Sequence, residues 1–184
     1  MRSNIIKFAT STAILFSAGA VTNGFAQDAA APVPMTIKAT VNGDDVKSMD
    51  SILTALYDVV SGPKGTKRDW NRMKGLFIEG GKLQPTGRGG MRNWTVEDYA
   101  GIAGKSLEGV DFFETENSRI VETFGAITHV FSTYESRHSP SDAEPFMRGI
   151  NSIQLFDDGT RWWIVSVFWQ GEDKDNPLPS KYLK

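Results

Sequence analysis

Residues 157–170 read Asp157-Asp158-Gly159-Thr160-Arg161-Trp162-Trp163-Ile164-Val165-Ser166-Val167-Phe168-Trp169-Gln170. The first four are a tight-turn signal, because glycine supplies the positive φ that a hairpin turn needs. The rest is dense in β-branched and aromatic residues, the composition of a strand. Trp163, Val165, Val167 and Trp169 alternate with Trp162, Ile164 and Phe168, so both faces of this strand are apolar. Helices can cover one face. The other exposes a patch of the kind that marks an interaction site. A homodimer through the sheet covers it most economically, and a lid formed by the C-terminal arm is the alternative.

Working back from this strand, the apolar period stays near two as far as Gly109. It predicts strands over roughly 112–123, 126–138, 145–156 and 161–171. Gly125 punctuates the first pair, and His138-Ser139-Pro140-Ser141-Asp142 is a longer surface connection. Before Gly109 the period is helical. Val46, Met49, Leu53, Leu56, Tyr57 and Val60 share one face of a helix expected near 45–61, with Asp44-Asp45 in its first turn and Ser61-Gly62-Pro63 ending it. A short helix near 67–75 holds Trp70 and Met73 on the core and breaks at Gly80-Gly81. Lys82 to Trp94 reads as a loop with short strands at either end. Thr95-Val96-Glu97-Asp98 has the form of a capping box and opens a helix to about Leu107. Helices followed by a meander of strands predict an α+β domain, about three N-terminal helices packed on one face of an antiparallel sheet.

Composition narrows the function classes. The 184 residues include 20 basic, 22 acidic and no cysteine, so a disulfide framework, a thiolate metal site and a cysteine nucleophile are excluded. A net charge of −2 offers no basic field for nucleic acid. Arg2 and Lys7 precede an uncharged run from Phe8 to Val21, and Gly24-Phe25-Ala26 places small residues for a cut after Ala26. This is the pattern of a secretory signal peptide over 1–26, and the run is too short for a membrane span. The expected location is the periplasm or the exterior, with no membrane attachment after cleavage. Without Arg2 and Lys7 the basic residues number 18 against 22 acidic, a net charge of −4. The domain plan is then an extended lead-in over 27–43, one folded domain over 44–172 and a polar C-terminal arm over 173–184.

Three stretches carry a resemblance to a known family. They are Gly125-Ala126-Ile127-Thr128-His129-Val130-Phe131-Ser132-Thr133-Tyr134-Glu135, then Phe146-Met147-Arg148-Gly149-Ile150-Asn151-Ser152-Ile153-Gln154-Leu155, then Arg161 to Gln170. Ser61-Gly62-Pro63 and Arg68-Asp69-Trp70 fit the same pattern. Together they resemble exported bacterial members of the nuclear transport factor 2-like superfamily, the SnoaL-like and ketosteroid-isomerase-like proteins. The resemblance covers most of residues 45–182. It implies a cone, in which a curved antiparallel sheet wraps around helices and encloses one pocket, often in a dimer. That fold hosts isomerases, dehydratases, hydrolases, cyclases and transport adaptors, so it does not supply a reaction. The family's isomerases set a carboxylate base opposite an oxyanion-binding tyrosine and a neutral acid. Its epoxide hydrolases use an Asp-Arg-Asp arrangement around a water. Neither set maps onto this chain residue by residue.

A two-residue turn at Asp158-Gly159 would set Gln154 opposite Trp163 and Arg148 opposite Trp169. Pairing Glu135 with Arg148 brings opposite charges together across strands and sets His129 opposite Gln154. One sheet face then carries His129, Phe131, Glu135, Arg148, Ser152, Gln154, Trp163 and Trp169, and the other carries Ser132, Tyr134, Asn151, Ile153, Ile164, Ser166 and Phe168. The first face is the candidate pocket wall. His129 is the candidate acid or base, because histidine is the residue type with a near-neutral reference pKa, against a structural histidine bonded within the sheet. Glu135 and Arg148 would orient a polar group, or simply form a cross-strand pair. Tyr57, Trp70 and Tyr99 on the helices would line an apolar pocket, or fill core. Asp69 and Asp98 read as helix caps. No metal spacing is present, since His129 and His138 lack a carboxylate beside them, and no cofactor is expected. The expected function is binding of a small, partly apolar molecule. The alternatives are a lyase, isomerase or hydrolase on the same scaffold, or a dimeric interaction module.

Overall fold

The computed structural model describes residues 38–183. The expected signal peptide, and the lead-in as far as residue 37, lie outside the described residues.

Ser48 decides how the helical half begins. Its backbone is extended and its side chain accepts from the Ser51 amide, which restarts the helix. The single helix expected near 45–61 is therefore two: α1 over Gly43–Val46, capped by Asn42, and α2 over Met49–Val60. Asp45 does not serve as a cap. It forms an ion pair with Arg72 at 2.8 Å. Asp69 caps α3 (Trp70–Leu76), and Thr95 with Asp98 forms the reciprocal capping box of α4 (Val96–Glu108). Both acids thus satisfy free helix-start N–H groups.

The residues after α3 correct the loop expectation. Phe77–Thr86 is a strand, β1, and it runs through Gly80-Gly81. Gly80 takes a φ of +75°, where a side chain would be strained, and the register jumps between Phe77 and Lys82. The glycines bend the strand instead of ending it. The meander follows as β2 (Phe113–Phe124), β3 (Ile127–Arg137), β4 (Met147–Asp157) and β5 (Trp162–Gly171). The five strands form one open curved sheet in the order β1-β5-β4-β3-β2. Neighbours are antiparallel except β1 and β5, which run parallel. A purely antiparallel sheet was expected, and the exception follows because α4 and the whole meander separate these two strands.

The core lies between helices and sheet. Ile52, Leu53, Met73, Leu76 and Ala103 meet Val130, Ile153, Leu155, Ile164 and Val167, all nearly inaccessible to solvent. Arg68 closes the helix ends. Its guanidinium donates to the carbonyls of Val60, Gly62, Thr66 and Leu107, binding the C-terminal ends of α2 and α4 together.

The β4–β5 register differs from the expected one. Asp157 pairs with Trp162, Phe156 with Trp163, and Gln154 with Ser166. The turn is longer than two residues, and a bulge at Val165 adds a residue to β5. Gln154 does not face Trp163. Arg148 does not face Trp169, which pairs with Asn151. On β3 and β4 the expected register holds, with Glu135 opposite Arg148 and His129 opposite Gln154.

The outer face is partly covered by the C-terminal arm, which ends in a short 3-10 turn at Ser180–Tyr182. The hydroxyls of Ser118 and Thr133 donate to the Tyr182 carbonyl at 2.6 and 2.8 Å, and the Tyr182 ring packs 5.2 Å from Phe131. Thr133 is 1% exposed. Phe124 and Ile127, at the β2–β3 turn, remain open. Among the described residues no helix is long and apolar enough to cross a membrane.

Candidate functional site

Strand alternation decides which side chains reach the helices. On β3 the inward set is Val130, Ser132, Tyr134 and Ser136, all buried; His129, Phe131 and Glu135 point outward. On β4 the buried positions are Gly149, Asn151, Ile153 and Leu155. On β5 the bulge changes the phase, so Ile164, Val167 and Trp169 all face the helices. On β2 a second irregularity, between Glu116 and Ser118, leaves Glu114 opposite Ser136 and Glu116 opposite Tyr134. Two acids therefore enter the interior from one edge strand.

These inward residues and the helices enclose a cavity of about 420 Å³. Leu56, Val60, Met73, Leu107, Val167 and Trp169 make its walls predominantly apolar, and Leu83 of β1 closes one side. Its polar lining is Ser106, Glu114, Tyr134, Asn151 and His138, with Tyr99 on the aromatic wall. Tyr99 meets Trp169 edge to face at 6.1 Å and Trp70 at 5.9 Å. At the mouth Val110 and Phe112 face Phe146 and His138. The His138 ring stacks on Phe146 at 4.2 Å, and its Nδ1 donates to the Asp111 carbonyl at 3.1 Å. Such size and lining, mostly apolar with a few convergent polar groups, suit a small-molecule site.

The polar end of the cavity is held by a buried network. The Tyr57 hydroxyl and the Ser132 hydroxyl share a hydrogen bond of 2.7 Å, and Ser132 donates to Glu116 at 2.5 Å. The Asn151 amide donates to the Tyr57 oxygen at 3.1 Å and is also within hydrogen-bond reach of Glu114. Ser136 donates to Glu114 at 3.3 Å. Burial pushes the Glu114 carboxyl up to about 7, against the bonds from Ser136 and Asn151, which pull it down. Burial also raises the phenols of Tyr57, Tyr99 and Tyr134, reinforced by the nearby Glu114, so all three stay protonated near neutrality. Glu114 can therefore switch charge near neutral pH, and Tyr134 is a neutral donor beside it. That pair can hold a polar group or move a proton.

The residues singled out from sequence separate into three places. Tyr99 lines the cavity. Tyr57 and Trp70 are buried just behind its wall, one in the polar network and one against Tyr99. His129, Glu135, Arg148, Gln154 and Trp163 lie on the outer face. There His129 shares a 3.0 Å hydrogen bond with Ser152, with Glu122 3.8 Å from its other ring nitrogen. Glu135 pairs with Arg137 and Arg148 with Glu172, so the two face each other in register but bind other partners. Trp163 donates to Asp158 and lies under the Arg161 guanidinium.

The expectation that the face carrying His129 forms the pocket wall is reversed. Tyr134 and Asn151, assigned to the opposite face, reach the cavity, as does Trp169. Glu114 was not singled out. Its signal was the alternation of Glu114 and Glu116 beside Phe112 in a strand whose inward face must be covered. Among the described residues no cluster of side chains has the makings of a metal site.

No family model matches the sequence, and no curated protein matches it. Solved structures do share its fold. A protein of unknown function from Mycobacterium tuberculosis superimposes with a TM-score of 0.54 at 14% identity, over 70% of this chain and 73% of that one. A protein of unknown function with a cystatin-like fold from Nostoc punctiforme gives 0.52 at 12% identity, over 75% and 97%. A Xanthomonas campestris protein, provisionally named a calcium/calmodulin dependent protein kinase II association domain, gives 0.50 at 16% identity, over 76% and 96%. At such identities the likeness shows the fold alone. The shared fold is one of helices seated in a curved, open five-stranded sheet, described for the Nostoc protein as cystatin-like.

Proposed function

We propose that this chain is an exported small-molecule-binding protein that takes one partly apolar ligand into the cavity between helices and sheet. The observation that carries the reading is the cavity itself, about 420 Å³, apolar-walled, with Glu114, Tyr134 and Asn151 converging at one end. A ligand of that kind gains from burying apolar surface and is oriented by the few polar groups. The test is the intact mass of the purified protein under native conditions. A retained small molecule that leaves on denaturation supports the reading. A protein that carries no molecule and also takes up none from a panel of apolar compounds contradicts it.

A second reading is favoured by the position of Glu114 near 7. It makes the same site an acid–base enzyme in which Glu114 exchanges a proton with the ligand and Tyr134 donates to the charge that develops. Turnover that disappears in Glu114→Gln while binding persists would identify this case.

Export rests on the pattern of residues 1–26, and an exported chain beginning at Gln27 tests it. A homodimer through the outer sheet face is part of the same proposal. Phe124 at 84% exposed and Ile127 at 62% supply its contact, and the same native mass measurement gives one or two copies.

A further inference from the structure

The cavity lining contains one carboxyl and, among the described residues, neither lysine nor arginine. Every other acid near this end is already partnered: Glu116 is bound by Ser132 and by Arg119 at 2.8 Å. Glu114 takes part in no ion pair among the described residues. Among the described residues it accepts from Ser136, with the Asn151 amide within reach, and both groups are neutral. A carboxylate has about four acceptor sites, so capacity remains on the side that faces the cavity.

We propose that the ligand is a hydrophobic amine, whose ammonium group seats on the Glu114 carboxylate between aromatic walls while its apolar body fills the cavity. This rests on the binding reading given above and names the chemical class of its ligand.

The groups around Glu114 favour a cation from each side. Tyr57 faces it from α2, Tyr99 from α4, and Tyr134 and Ser136 from β3; Asn151 faces it from β4 and Glu116 from its own strand. None is a cation, and the charge of Glu116 is already met by Arg119. His138, the only titratable base in the lining, is engaged with Phe146 and the Asp111 carbonyl at the mouth. The ring faces of Tyr99 and Trp169 attract positive charge and repel negative charge. A buried carboxylate without a cation is costly, and an ammonium group removes that cost. A ligand carboxylate would meet Glu114 as a like charge. A neutral alcohol gains one hydrogen bond and leaves the charge unmet.

The test compares two probes of one shape, naphthylethylamine and naphthylethanol, by calorimetric titration of the full chain and of Glu114→Gln. A primary amine stays protonated below about pH 10. At about pH 8 the amine is expected to bind about tenfold or more tighter than the alcohol, a margin that the Gln variant loses. Near pH 6 Glu114 must release its proton to receive the amine, so amine affinity falls by up to about tenfold per pH unit below the carboxyl's midpoint, with proton release visible in the buffer dependence of the heat. The alcohol shows neither effect. If the alcohol binds as well as or better than the amine, the amine assignment is overturned and the binding reading stands. If neither binds, both fall.

Discussion

The Asn151 side chain donates to the Tyr57 hydroxyl at 3.1 Å, joining β4 to α2 across 94 positions of sequence. The same hydroxyl bonds Ser132 on β3, so one phenol ties a helix to two adjacent strands at the polar end of the cavity. Tyr57→Phe removes both bonds and leaves the Asn151 amide and Ser132 without that partner in a buried setting. The expected loss is about 1–3 kcal/mol in urea denaturation, with the slope against urea unchanged.

Glu114 makes stability depend on pH in the direction opposite to that of most carboxylates. Its folded value is raised from 4.5 to about 7, so between those values the folded chain holds a proton that the unfolded chain releases. Stability from this group is complete below pH 4.5, declines as pH rises through the window, and is lost above about 7, by up to about 3 kcal/mol. In Glu114→Gln this fall from pH 5 to pH 8 should be missing, leaving the variant more stable than wild type at the alkaline end. Denaturant midpoints measured at steps across that range check the sign.

Gly149 leaves room for Tyr134. A Cβ there would stand 2.5 Å from the Tyr134 oxygen and 2.3 Å from the Gln170 carbonyl oxygen. The second contact is backbone and cannot swing aside. Gly149→Ala is expected to cost more than about 2 kcal/mol and to displace Tyr134. The readouts are thermal unfolding and the near-ultraviolet circular dichroism of the tyrosines.

The C-terminal arm supplies an acceptor to two outward hydroxyls through the Tyr182 carbonyl. Ending the chain before Pro179 should lower stability by about 1–2 kcal/mol and expose Thr133 and Phe131. Hydrogen exchange of the β3 amides around Thr133 should quicken in the shortened chain while that of α4 stays as it was.

Local chemistry explains what could be read in advance. The capping box at Thr95 and Asp98, the Asp69 cap and the alternation of β3 are short-range signals, and all appear in the fold. What could not be read depends on one extra residue in a strand. The bulge at Val165 put Trp169 with the inward set and left Trp163 outward, because a single inserted residue exchanges the two faces of everything beyond it. β1 was hidden for a related reason. Its glycines look like a break, and its partner β5 lies far away in sequence. His129 stands out in the sequence by residue type alone, whereas the group that burial moves toward neutrality is Glu114, and burial cannot be read from residue type.

In the proposed function the space between helices and sheet receives a ligand. Titration with N-phenylnaphthylamine, an uncharged dye that fluoresces in apolar surroundings, measures this on wild type and on Val110→Trp, a substitution at the exposed rim of the cavity. A saturable rise with one dye per chain is expected in wild type and little or none in the variant, whose indole blocks the mouth. No saturable rise in wild type, or an equal rise in both proteins, would contradict it.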